Sequence, residues 1–128
     1  MIKYTYNKLV RDRIPENINS QEGRKAQYHT LSDEEYLEEL NKKLLEEAHE
    51  FIEKNNMEEL ADVMEVIESI MKFRKIEWED VKKIGDQKRI KKGGFDNKIY
   101  LEYVEEENRN LEEEKELNKS WRNNNERD

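Results

Sequence analysis

The sequence predicts an all-α protein built on an antiparallel helical hairpin, and three observations carry that reading. Ser32-Asp33-Glu34-Glu35 is a capping box: the Ser32 hydroxyl accepts from the backbone three residues on, and Glu35 reaches back. Two runs of apolar residues then recur at steps of three and four, the period of one helical face. Asn55-Asn56 separates the runs, and so short a break folds the second helix back against the first.

The first of these helices runs from Ser32 to about Lys54, with Leu37, Leu40, Leu44, Leu45, Ala48, Phe51 and Ile52 as its apolar set. The second spans roughly Met57 to Phe73, with Leu60, Val63, Met64, Ile67, Ile70 and Met71 as its core face. Before the hairpin, Tyr4 to Pro15 mixes apolar and basic residues, and Asn17 to His29 reads as a polar loop around Gly23. After it, Glu77 to about Lys92 predicts a third helix with Trp78, Val81 and Ile84 turned inward, stopped by Gly93-Gly94. Lys98 to Leu101 reads as a short extended piece or the start of another helix. From Glu105 the chain is nearly all Glu, Asn, Lys and Arg, a solvated helix fraying around Asn123-Asn124-Asn125. The expected organisation is a domain over residues 1–102 and a charged tail over 103–128.

Charged residues make up 44% of the 128 and the hydrophobic set 34%, a composition that leans toward disorder or toward helices with one thin apolar face. A core that thin is expected to be completed by further helices and by oligomerisation, as a homodimer or a dimer of dimers. The chain has no cysteine, which excludes disulfides and thiolate metal sites. No apolar run approaches the roughly 20 residues that span a bilayer, and Met1 to Tyr6 lacks the apolar core of a secretory signal. A cytoplasmic protein is expected, with no membrane partner. The net charge of −8 argues against a nucleic-acid partner. A polyanionic ligand would need a metal or a few well-placed cations.

Glu46, Glu47 and Glu50 on the first helix, and Glu59 and Asp62 on the second, are the candidates for chemistry. Residues three apart are neighbours on one helical face, so Glu47 pairs with Glu50 and Glu59 with Asp62. The antiparallel turn brings the pairs together. Glu-rich chains hold many such pairs by chance, but at about 100° per residue Glu47 and Glu59 fall on the margins of the apolar faces. Carboxylates there are costly unless a cation neutralises them. Four converging carboxylates make an oxygen-only site, suited to Mg2+, with Mn2+ as a substitute. Glu38, Glu53 and Glu68 lack that placement and read as solvated.

Glu46-Glu47-Ala48-His49-Glu50 followed by Glu59-Leu60-Ala61-Asp62 resembles the EExxE…ExxD signature of the all-α NTP pyrophosphohydrolases, a superfamily that includes MazG, dimeric dUTPases and phosphoribosyl-ATP pyrophosphohydrolase. Tyr6-Asn7-Lys8-Leu9-Val10-Arg11-Asp12-Arg13-Ile14-Pro15 is similar to the opening of the small MazG-like members. Leu31 to Tyr36, Glu59 to Val66 and Lys92-Gly93-Gly94-Phe95 match further blocks, so the resemblance runs from about Tyr4 to Leu101. One departure stands out: only eight residues lie between Glu50 and Glu59, fewer than in the usual MazG signature.

The resemblance implies Mg2+-dependent cleavage of a nucleoside triphosphate between its α and β phosphates, giving the monophosphate and pyrophosphate, as in house-cleaning of non-standard nucleotides. It implies Glu47, Glu50, Glu59 and Asp62 as metal ligands, with Glu46 and Glu47 as catalytic carboxylates and Glu46 orienting or deprotonating a water. Lys8 and Arg11 are the expected N-terminal phosphate clamp, Arg11 because a guanidinium grips phosphate in a forked geometry; a structural pair of Arg11 with Asp12 is the bland alternative. Lys88 and Arg89 are further candidates, although cations in the last turn of a helix complement its dipole in any case. His49 is expected at the surface. Tyr36, Trp78 and Phe95 are available for stacking on a base, with core packing the default for Trp78. The rival from another class is a non-enzymatic helical adaptor that dimerises and carries a solvated acidic face.

Overall fold

A computed structural model describes residues 1–108 and 115–119. The ordered elements are α1 (Ile14–Asn19), α2 (Asp33–Lys54), α3 (Met57–Phe73) and α4 (Trp78–Lys92), with no strand among the described residues. Residues 115–119 are also helical. Chain contacts divide the molecule into two units, Met1–Gly93 and Gly94–Asp128.

α2 begins where the capping box places it: the Ser32 side chain accepts from the Glu35 backbone N–H, and the Glu35 carboxylate accepts in return. It ends at Asn55, which adopts the left-handed conformation (φ 50°) that asparagine tolerates better than most residues. Asn56 then caps α3, its side-chain oxygen accepting from Glu59 N–H at 2.9 Å. Two asparagines thus make the whole turn.

α2 and α3 form the one extensive helix pairing among the described residues. Their antiparallel sense shows at both ends. Tyr36, early in α2, packs edge-on to Phe73, the last residue of α3, with ring centroids 5.2 Å apart. At the other end Lys54 reaches Glu59 across the turn. Leu40 and Val66 are the buried centre of the seam.

The seam is thin, and much of the expected core face stays in solvent. Leu45 and Ile52 are 75% and 74% exposed, and Leu60 and Met64 are exposed as well. On a helical wheel Leu45 and Ile52 lie roughly 120–140° from Leu40, and Leu60 and Met64 roughly 120–160° from Val66, in the same rotational sense. In an antiparallel pair that sense puts all four on one side of the hairpin. Glu50 on α2 and Asp62 on α3 are rotated the other way, so acidic and apolar residues occupy opposite faces.

Three expectations are corrected. Pro15 does not close the N-terminal segment but opens α1, where a fixed φ and a missing N–H are tolerated in the first turn. Trp78, Val81 and Ile84 are exposed, because α4 has no extensive packing against another helix. Residues 98–101 are neither strand nor helix; a turn from Phe95 to Lys98 precedes them. The expected fraying at Asn123–Asn125 lies outside the described residues. No described helix is long and apolar enough to cross a membrane.

Candidate metal centre

The short turn sets the site. Glu47 lies two turns before the end of α2, while Glu59 and Asp62 occupy the first two turns of α3. Because Asn56 fixes the α3 N-terminus at the Glu59 N–H, the Glu59 backbone is held at the helix end where negative charge is favoured. Glu47, Glu59 and Asp62 each present one carboxylate oxygen within 4.8 Å of the other two. Oxygens on opposite sides of one Mg2+ or Ca2+ ion are about 4–5 Å apart. The donor set could therefore hold a single hard cation, in reach and in chemistry.

Glu47 and Glu59 are less exposed than the neighbouring acids, whereas Asp62 is as open as Glu46. The Glu47 and Glu59 side chains are only 13% and 15% exposed, and Asp62 39%. Each has one of the chain's own cations on it. Lys43 meets Glu47 at 3.3 Å, Lys54 meets Glu59 at 3.5 Å, and Arg11 donates to Asp62 at 2.7 Å.

Two outer carboxylates share those lysines. Glu46 accepts from Lys43 at 3.5 Å and from Lys8 at 3.4 Å, and Glu50 pairs with Lys54 at 3.2 Å. Glu50 stands outside the close trio, paired with an ammonium one helical turn further along α2 that also reaches Glu59. The hydrogen bond to Glu50, then the charge of Glu59, raise Lys54 above the ordinary lysine value.

The N-terminal segment crosses the hairpin above these acids. Lys8 contacts α2 through Glu46, and Arg11 contacts α3 through Asp62. Both cations expected from the N-terminal block are thus brought to the carboxylates, and the Arg11 partner is Asp62. Between the segment and α2 lies a cleft of about 200 Å³, lined by Lys8, Lys42, Lys43, Glu39 and Glu46 among others.

Lys88 and Arg89 are on α4; burial, then the charges of Lys88 and Lys91, hold Lys92 below the ordinary lysine value. His49 is exposed and pairs with Glu53 along α2. Tyr36 spends its ring on Phe73, and Phe95 is fully exposed.

Lys43 and Lys54 are the site residues that the acid pattern alone overlooks. Their signal is present in the sequence: each stands four residues from a glutamate on α2, the spacing of a helical ion pair. No family model, curated protein sequence or solved structure matches this chain.

Proposed function

We propose that this protein is a divalent-metal-dependent nucleoside triphosphate pyrophosphohydrolase, cleaving between the α and β phosphates. The observation that carries the reading is the convergence of Glu47, Glu59 and Asp62 from two helices, partly exposed and with one carboxylate oxygen of each within 4.8 Å of the others. The EExxE…ExxD pattern supports it, as does the presence beside the trio of Lys8 and Arg11, the two cations of the N-terminal block.

Glu47, Glu59 and Asp62 would hold Mg2+ or Mn2+, with Glu50 near enough in sequence to join through the turn. A bound ion supplies charge neutralisation of the phosphates and a more acidic water. Arg11 and Lys8 grip phosphate oxygens, the guanidinium through paired N–H donors and the ammonium as a point charge. Glu46 orients the attacking water and accepts its proton. A carboxylate has about four lone-pair sites, so contacts with Lys8 and Lys43 leave it acceptor capacity. Lys43 and Lys54 hold the Glu47 and Glu59 carboxylates in place.

The exposed face of Leu45, Ile52, Leu60 and Met64 supports self-association as a homodimer or dimer of dimers. The same face is what a purely structural adaptor would present, so the enzyme reading stands on the carboxylates.

The deciding assay offers a panel of NTPs and dNTPs with Mg2+ or Mn2+ and scores pyrophosphate against orthophosphate. Pyrophosphate and monophosphate as first products are expected for at least one substrate. Orthophosphate as the first product, or no turnover across the panel, would overturn the proposal.

A further inference from the structure

α4 is a helix of 15 residues without extensive packing against another, and a helix that short is marginal in water on its own. Its side chains are ordered along its length. On one side of the helical wheel Trp78, Val81 and Ile84 occupy the first two turns, all exposed, and Lys88, Arg89 and Lys92 follow toward the end. That side is apolar where the helix begins and cationic where it stops.

The apolar face of the hairpin is ordered in the same way. Leu45, Ile52, Leu60 and Met64 occupy the half nearest the turn. At about 100° per residue, Glu34 and Glu38 fall on the Leu45 side of α2, and Glu68 falls beside Met64 on α3. These three exposed acids lie toward the open end of the hairpin. Lys42 feels the charge of Glu38 but donates to Glu39 at 3.0 Å. The lengths agree as well: at 1.5 Å per residue, Ile52 to Glu38 and Trp78 to Lys92 each span about 21 Å.

The connection from α3 decides which hairpin α4 can cover. It turns back at once, with Ile76 N–H donating to the Met71 carbonyl at 2.8 Å and Lys75 in the left-handed conformation. α4 therefore begins at the open end of its own hairpin. Laid along that hairpin, it would set Trp78 among Glu34, Glu38 and Glu68 and carry its cations over Leu60. A second hairpin running the opposite way offers the matching order, its turn half to Trp78 and its acids to Arg89 and Lys92.

We propose that α4 of one copy covers the apolar hairpin face of a second copy, reciprocally about a twofold axis, with the two hairpins side by side and antiparallel. The inference rests on that face being the surface of self-association, and it is independent of the metal centre.

The test follows self-association of the full chain by sedimentation, with circular dichroism as the check on helix content. Arg89→Glu with Lys92→Glu, and separately Glu34→Arg with Glu38→Arg, should each weaken association about tenfold or more, because like charges then meet. An equimolar mixture of the two variants should regain the association of the unaltered chain, since one contact of the mixed dimer is native and the other is reversed on both sides. An α4 that covered its own hairpin would give no such recovery, and that result overturns the proposal. The chain has no cysteine, so single cysteines give a second readout. Ile52→Cys mixed with Trp78→Cys in a glutathione redox buffer should form a disulfide between chains. Association that ignores both charge reversals and yields no mixed disulfide overturns the α4 contact and leaves the apolar face standing. A chain that stays monomeric at every concentration overturns both.

Discussion

Removing one carboxylate from the trio alters two charge relations at once. Asp62→Asn deletes a possible ligand and also leaves Arg11 without its 2.7 Å partner. The second effect is small, about 0.2–1 kcal/mol for a solvent-exposed pair. The first should be large whenever an ion is present. Saturating Mn2+ at a hundred times its dissociation constant stabilises a single-site protein by about 2.7 kcal/mol. Thermal unfolding with and without Mn2+ should therefore show a clear upward shift in the unaltered protein, and little or none in Glu47→Gln or Asp62→Asn. Equal shifts in all three would mean that the ion binds elsewhere. At this scale the sequence was informative about the acids and less so about their partners. Spacing and wheel position single out Glu47, Glu50, Glu59 and Asp62, but a wheel carries no side-chain reach. It could not reveal that Lys54 pairs with Glu50, or that Arg11 crosses to α3.

The elements that mattered were those with chemical punctuation. Ser32 and Glu35 mark the start of α2 and Asn55-Asn56 its end, and the structure places both boundaries there. Asn56 joins stability to the site, because its side chain caps α3 through the N–H of Glu59 itself. Asn56→Ala should cost about 1 kcal/mol in a urea unfolding series. It should also weaken Mn2+ binding, since Glu59 then loses its fixed backbone anchor. A loss of stability with unchanged Mn2+ affinity would separate the cap from the site. α1 was hidden because six residues are too few for a periodic pattern, and Pro15 reads equally as a stop or a start. α4 was found, but its facing was not: without extensive contact to another helix, Trp78, Val81 and Ile84 have nothing to turn toward.

For the molecule as a whole, the two faces of the hairpin set different demands. The acidic face is neutralised internally by Lys43, Lys54 and Arg11, whereas the apolar face is left to solvent. Burying one large aliphatic side chain is worth about 1.5–3 kcal/mol, so Leu45, Ile52, Leu60 and Met64 together supply a strong drive to associate. Sedimentation is expected to find a dimer or larger assembly. Leu45→Glu with Ile52→Glu should shift it to monomer while the helical circular dichroism remains. A monomer at every concentration of the unaltered chain would refute self-association through this face. The low hydrophobic content announced that the core was insufficient; which side lacked its cover depended on the sense of rotation along two packed helices.

The two-asparagine turn has a kinetic consequence. Glu47, Glu59 and Asp62 are neighbours along the chain as well as in space, so they meet once a single local hairpin has closed. Structures dominated by such short-range contacts cross their folding barrier quickly, because little loop entropy is lost before contacts form. Three like charges gathered that early oppose the closing hairpin unless Lys43 and Lys54, carried on the same helix, arrive with them. The lysines beside the acids thus offset that repulsion from within the hairpin itself.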